Sequence, residues 1–200
     1  MIDFGENKVA ERKTNRKQDI LQSLAHMLEN DLAERITTAR LAKEVGVSEA
    51  ALYRHFPSKA RMYEALLDFC DESIFSRINS ISSGEQDAHE KCYSIATLVL
   101  NFSQRNAGIS RLLTGEVLLG ENQRLKQRIS QFFDKLELQI KQVIRNNAVE
   151  KGQSTVDSGA SAKLISSIIE GRIQQYVRSS FNINPVENWD VQWRLLQAGI

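Results

Sequence analysis

Leu125, Ile129, Phe132, Leu136, Ile140 and Val143 follow one another at steps of four, three, four, four and three residues. Only an α-helix gathers such positions onto one stripe, because its turn holds 3.6 residues. The spacing predicts a helix of about 25 residues. The stripe resembles a heptad seam, but it lasts only about three heptads. It therefore reads as one side of a bundle core rather than as an independent coiled coil. A helix that long needs long helical neighbours to cover its apolar side. The scarcity of chain breakers, 10 Gly and 2 Pro in 200 residues, agrees with long helices and not with a turn-rich β fold. The expected fold class is all-α.

The same periodicity recurs along the chain. Ile20, Leu21, Leu24, Ala25 and Leu28 predict a first helix from about Lys17 to Glu29. A second starts at Thr37 or Thr38, carries Leu41, Ala42 and Val45 inward, and ends at Gly46. Ser48 caps a third through "EAALYRH", and Phe56-Pro57-Ser58 forces a turn. Ser58 opens a long fourth helix bearing Met62, Leu66, Phe69 or Cys70, Ile74, Ile78 and Ile81. "NSISSGEQDAHE" reads as a loop, and a fifth helix runs from about Glu90 to Asn106. Gly108 and "LTGEVLLGEN" mark short connections, and "NNAVEKGQSTVDSG" reads as a polar loop. Further helices carry Ile165 to Val177 and, after Pro185, Trp189, Trp193 and Leu196. The expected organisation is a flexible basic arm at 1–16, a three-helix head at 17–63 and a larger helical body at 64–200.

Three positions in the head have a specific meaning. Ala42 is small enough for two helices to cross closely, Gly46 makes the turn four residues later, and Leu52 plugs the space behind it. That small–Gly–aliphatic spacing is what a helix-turn-helix needs, with its motif at about 37–56. Ser48, Glu49, Ala50, Tyr53 and Arg54 then point away from the plug, toward solvent or DNA. The chain carries only +1 overall, yet residues 35–61 hold six basic and two acidic residues, and residues 8–17 hold five basic and one acidic. Each segment is therefore +4, a local attraction for phosphate that a neutral total conceals.

Other chemistries find little support. Cys70 and Cys92 are the only cysteines, with His26, His55 and His89 the only histidines, and none has metal-ligand spacing. Both thiols read as buried and reduced. There is no phosphate-cradling Gly-rich loop, no Gly-x-Ser-x-Gly elbow and no His-Glu-x-x-His. No enzymatic activity, cofactor or metal is expected. No run of about 18 apolar residues is present for a membrane span. The N-terminal residues lack a signal-peptide core, so a cytosolic location is expected.

"ITTARLAKEVGVSEAALYRHFPSKARMYEALL" resembles the DNA-binding head of the TetR family. The matching positions are Thr37, Leu41, Ala42, Gly46, Val47, Ser48, Leu52, Tyr53, His55, Phe56 and Lys59. The resemblance implies phosphate contacts from Tyr53, His55 and Lys59. It also implies a homodimer built on the last two long helices. The expected DNA-facing set is Thr37, Thr38, Ser48, Glu49, Ala50, Tyr53, Arg54, His55 and Lys59. Most of the family are repressors released by a small ligand held in the body, and that remains the alternative here.

"FSQRNAGISRLLTG", "NQRLKQRISQFFDKLE" and "VRSSFNINP" are similar to the nucleoid-occlusion branch of the family. That likeness spans roughly residues 17 to 195. It implies dimers on palindromic double-stranded DNA, two of which can share one site. It further implies that the DNA-bound protein engages the C-terminal tail of the tubulin-like division protein FtsZ and antagonises its polymers. The implied tail-binding residues are Phe69, Arg77, Leu98, Asn101, Arg105 and Asn106, between the fourth and fifth helices. Asn101 stands where that branch favours a small residue, and "RNAG" replaces an expected "RNPG".

Overall fold

The computed structural model describes residues 16–32, 35–118 and 123–197. Among them are nine α-helices: α1 Arg16–Asn30, α2 Thr38–Val45, α3 Glu49–His55, α4 Lys59–Ser82, α5 Ala88–Arg105, α6 Ala107–Leu113, α7 Gln123–Glu150, α8 Ser158–Arg178 and α9 Trp189–Gln197. A single 3-10 turn, Glu116–Leu118, follows α6. The basic arm expected at 1–16 lies outside the described residues except for Arg16.

Local chemistry sets the starts and stops. The side chains of Thr37, Ser48, Ser58 and Asp87 accept hydrogen bonds from the amides of Arg40, Ala51, Arg61 and Glu90 at 3.3, 3.2, 3.2 and 2.9 Å. Each satisfies one of the amides that a helix start leaves unpaired. Gly46 closes α2 at φ 73°, and the Val47 amide donates to the Ala42 carbonyl at 2.9 Å.

Leu52 is wholly buried with Leu41, Ile20 and Leu24, so the plug expected between the first three helices is present. On α7 the stripe Leu125, Phe132, Leu136, Ile140 and Val143 is buried, and Ile129 is half-buried against it. Phe132 meets Phe75 of α4 edge to face, with centroids 5.5 Å apart. The core is continuous from α1 to α9. At the far end Arg172 of α8 donates to the carbonyls of Pro185 and Glu187, both at 2.6 Å, and the Trp189 indole donates to Thr97 of α5 at 2.9 Å. The apolar faces at 165–177 and 189–196 thus contribute Ile165, Ile169, Ile173, Tyr176, Val177, Trp189 and Trp193 to the protomer's own core.

Three expectations need correction. The loop expected over "NSISSGEQDAHE" shrinks to 83–87, because α4 continues through Ser82 and α5 begins at Ala88. "NNAVEKGQSTVDSG" likewise starts as helix: α7 runs to Glu150 and ends at Gly152, which has a φ of 63°. In both cases polar residues extended the helix; α7 closes at Gly152, whereas α4 closes on Ser83, whose amide donates to the Asn79 carbonyl at 3.1 Å. The third correction is larger. The expected connection around Gly108 is a helix, α6, and all seven of its residues are buried.

α6 joins the first helix to the body by two contacts. A Cβ on Gly108 would lie 2.1 Å from the Ala25 carbonyl oxygen, so only glycine permits this approach of α6 to α1. Three residues on, the buried Arg111 donates to the Leu28, Asp31 and Leu32 carbonyls at 3.2, 3.1 and 3.0 Å. Those are carbonyls at and just past the end of α1, where a cation is favoured. Glu116 balances its charge at 2.8 Å.

Candidate DNA-binding surface and partner groove

On the head, Ser48, Glu49, Ala50, Tyr53 and Arg54 are all exposed, and Tyr53 is 44% accessible despite its ring. Two of the expected hydroxyls already have structural partners, since Thr37 and Ser48 cap α2 and α3. A third is engaged across the turn. The Tyr53 hydroxyl donates to Thr38 Oγ1 at 3.2 Å, and Thr38 donates in turn to Glu49 Oε2 at 2.9 Å. This chain of bonds fixes the outer faces of α2 and α3 relative to each other. Preorganised polar atoms on an exposed helix are what base and phosphate contacts require.

The basic residues divide into two groups. Arg40 pairs with Asp31 at 2.8 Å within the head, and Arg61 pairs with Glu64 at 2.7 Å along α4. Arg35, Lys43 and Arg54 are exposed around the turn. Lys59 is half-buried, and its ammonium donates to the Ile36 carbonyl at 3.3 Å while lying 5.6 Å from the Tyr63 ring centroid. His55 is half-buried at the end of α3.

The second set converges on one groove. Phe69, Arg77, Leu98, Asn101, Arg105 and Asn106 all line a cleft of about 260 Å³ between α4 and α5. Phe69 and Leu98 are half-buried against the core, so each is both packing residue and groove wall. Arg77 and Arg105 are exposed. Asn106 is 9% accessible; its amide donates to the Phe102 carbonyl at 2.8 Å, while its buried Oδ1 has no partner among the described residues.

Sequence reasoning missed Ser73 and Phe102, which also line this groove. Phe102 stacks against Phe69 with centroids 6.2 Å apart. The signal was available, because Phe69, Ser73 and Arg77 form one four-residue row and Leu98, Phe102 and Asn106 another. From Lys59 to Arg77, α4 covers about 27 Å, so it spans the distance from the head to the groove.

A third space, of about 190 Å³, opens where the starts of α5 and α8 meet the end of α7, beside Cys92. Burial pushes the Cys92 thiol up to about 12, and burial followed by the neighbouring Asp71 carboxylate holds Cys70 well above its usual range. Both are free and buried, so neither is a thiolate nucleophile near neutral pH. No group of three metal-ligating side chains occurs among the described residues, and none of their helices is long and apolar enough to cross a membrane.

Residues 86–200 match the family model described as the tetracyclin repressor-like, C-terminal domain, of the SlmA-like type, and residues 33–66 match that of the bacterial regulatory proteins, tetR family. The nucleoid occlusion factor SlmA of Shewanella oneidensis is 52% identical over 186 residues, covering 92% of this chain and 94% of the relative. The chain belongs to the SlmA branch of the TetR family. SlmA of Shewanella baltica is similar to the same extent, 52% over 92% of this chain and 94% of its own. Among solved structures, the fatty acid degradation regulator FadR from Bacillus halodurans aligns with a TM-score of 0.74 at 16% identity, over 95% of this chain and 98% of that one. FadR from Bacillus subtilis, solved with stearoyl-CoA, aligns with a TM-score of 0.70 at 17% identity, over 92% and 98% of the two chains. Those two likenesses are of fold alone. The SlmA-type resemblance instead runs through head and body together, and with it come DNA binding and nucleoid occlusion as family properties.

Proposed function

We propose that this protein is a DNA-activated inhibitor of cell division. Bound to palindromic double-stranded DNA as a homodimer, it receives the C-terminal tail of FtsZ in the α4–α5 groove and disrupts FtsZ polymers, so that no septum forms across the nucleoid. It would accordingly reside in the cytoplasm, on the nucleoid. The observation that carries this reading is the convergence of Phe69, Arg77, Leu98, Asn101, Arg105 and Asn106 on one cleft. Such a cleft offers apolar walls with two guanidinium forks, which suits an extended apolar and acidic peptide. Asn101 adds a polar edge to its wall.

On the DNA side, the reading gives base or phosphate contacts to Thr38, Glu49, Ala50, Tyr53 and Arg54, and phosphate contacts to His55 and Lys59. Thr37 and Ser48 support them by capping the helices that carry them. The exposed Leu138 on α7 and Leu164 on α8, 51% and 46% accessible, supply apolar surface for a dimer along those two long helices. A ligand-released repressor is the alternative. The buried Ile74, Ile95, Leu100, Phe132, Leu136 and Ile169 fill the bundle between head and α9 and favour the groove reading over it.

Sedimentation of FtsZ polymers with this protein, with and without a specific duplex, tests the proposal. Less FtsZ is expected in the pellet only when duplex is present. Arg105→Ala is expected to abolish that effect at unchanged DNA affinity. An FtsZ pellet indifferent to the protein and duplex together would discard the reading.

A further inference from the structure

The space beside Cys92 lies at the end of the bundle away from the head, since α5 covers about 26 Å between Ala88 at this chamber and Arg105 at the groove. Neither the operator surface nor the groove uses it. Its floor is apolar: Ala88, Cys92, Ala148, Ile165 and Trp193 line it and are all buried. Its rim is polar and comes from four helices, with His89 on α5, Asn147 on α7, Asp157 and Ser161 at the start of α8, and Gln197 on α9. An open groove of about 630 Å³ between α5 and α9 shares His89, Trp193 and Gln197 with the chamber, and so borders it on the solvent side.

Size and charge select what fits. About 190 Å³ equals the liquid volume of roughly six waters, which holds a small ring but not a drug-sized molecule. No lysine or arginine lines the chamber among the described residues, so a phosphate or carboxylate finds no guanidinium or ammonium there. Asn147, Gln153 and Gln197 bring neutral amides and Ser161 a hydroxyl, each able to donate and to accept. The one carboxylate in the lining is that of Asp157, which when ionised only accepts. It occupies the N-cap position of α8 and makes no capping bond. Ser158 is already engaged, its hydroxyl donating to the Thr155 carbonyl at 2.7 Å. An apolar floor under a rim of amides and one carboxylate matches a flat neutral ring whose edge carries an amino group beside an acceptor. Base readers use the same pairings: an Asn or Gln amide takes two edge atoms of adenine, and a carboxylate accepts from the amino group of cytosine.

We propose that this chamber binds a free nucleobase bearing an exocyclic amino group, adenine or cytosine. The ring lies on the floor between Ile165 and Trp193, its amino group donates to the Asp157 carboxylate, and the amides of Asn147 and Gln197 serve the neighbouring ring atoms. The site joins α5, α7, α8 and α9, so occupancy fastens the end of the bundle farthest from the DNA. Operator affinity therefore stays the same, which separates this ligand from an effector that releases the operator. The inference stands apart from the groove, and FtsZ binding or its failure does not bear on it.

The test is thermal unfolding of the full-length protein with adenine, cytosine or uracil as the probe, followed by titration calorimetry. At about ten times its Kd, adenine or cytosine is expected to raise Tm by roughly 3–5 °C. Uracil, with a carbonyl in place of the amino group, is expected to leave Tm unchanged. Asp157→Asn is expected to weaken cytosine binding by about tenfold and to admit uracil, because its amide can donate to that carbonyl. Ser161→Leu fills the chamber, and is expected to keep or raise the Tm of the ligand-free protein while abolishing the response to either base. Operator affinity is the folding control for both variants. A Tm indifferent to adenine and cytosine up to their solubility limits overturns the inference. So does a response that survives in Ser161→Leu, which places the base elsewhere. A uracil response equal to that of cytosine also overturns it, by removing the amino group as the recognised feature.

Discussion

α3 and α6 are both seven residues long, and they have opposite relations to the rest of the protein. In α3 only Leu52 is buried, and the other residues face outward or sit half-covered. In α6 every residue is buried, including a serine and an arginine. The first helix is a surface held up by one plug. The second is a rod enclosed by α1, α4, α5 and α8, and it joins the DNA-facing end of the molecule to the end of α5 that carries the groove. The difference separates the surfaces proposed to bind partners from what holds those two surfaces in register. A substitution on α3 should alter recognition without stability, and one on α6 should alter stability first.

Gly108→Ala is the harshest way to break that contrast. The added methyl meets backbone, not a flexible side chain, so α1 or α6 must move. A loss of roughly 4 kcal/mol or more is expected, at the upper end of overpacking effects. Thermal denaturation reads it directly, and an unchanged midpoint would mean that α6 is not pinned to α1. Arg111→Ala comes next. It removes the only charged donor serving the Leu28, Asp31 and Leu32 carbonyls among the described residues. The expected cost is about 3 kcal/mol, or roughly 6–12 °C in Tm for a chain of this size. Arg111→Lys should recover only part of it, because an ammonium cannot reproduce the guanidinium fork.

The same two helices explain what the sequence makes visible. α3 stands between Gly46, Ser48 and Pro57, and each of those residues acts on its own backbone, so a reader of the chain alone finds it. α6 has no such punctuation. Its N-cap, Asn106, makes no side-chain capping bond, and its residues show no polar side. What forms it is contact with α1, some 80 positions earlier in the chain, which local sequence cannot express. The α7 stripe was legible because half of that helix must stay wet, which imposes the period. Its last turn was not, because Asn146 and Asn147 read as loop residues while nothing stops the helix before Gly152. The groove stands between these cases. Its two rows have helical spacing, but half-buried Phe69 and Leu98 look like ordinary core until the gap between α4 and α5 is seen.

On the surface side of the comparison, Tyr53→Ala should leave the fold nearly untouched. The ring is 44% accessible and its hydroxyl bonds, among the described residues, to Thr38 alone, so the thermal change should stay within about 0.5 kcal/mol. Operator affinity is expected to fall by roughly tenfold, as one positioned contact is lost and the outer faces of α2 and α3 loosen. Binding measured across a salt series is the check. Equal affinity at every salt concentration would remove Tyr53 from the interface, and a large drop in Tm would erase the distinction between α3 and α6.

The smallest effect concerns the other end of α5 from the groove. Asp87 caps that helix, and the Glu90 amide holds its carboxylate below the ordinary aspartate range; burial opposes this weakly, and the His89 amide and the cationic forms of His89 and Lys151 assist. A carboxyl whose folded value lies below its unfolded one, about 3.9, stabilises the fold at higher pH. That contribution is complete above the unfolded value and disappears as the pH falls through the folded one. Asp87→Ala should therefore cost about 1 kcal/mol at neutral pH, seen as a few degrees in Tm. The gap from the parent protein should close as the pH falls below 4. Asp87→Asn sharpens the point, because an uncharged amide still caps the helix yet has no proton to gain. Its deficit should be smaller at neutral pH and should shrink over that window, because the parent loses a charge that the variant never had. A constant gap for Asp87→Ala would assign the capping energy to geometry alone, with no contribution from the charge.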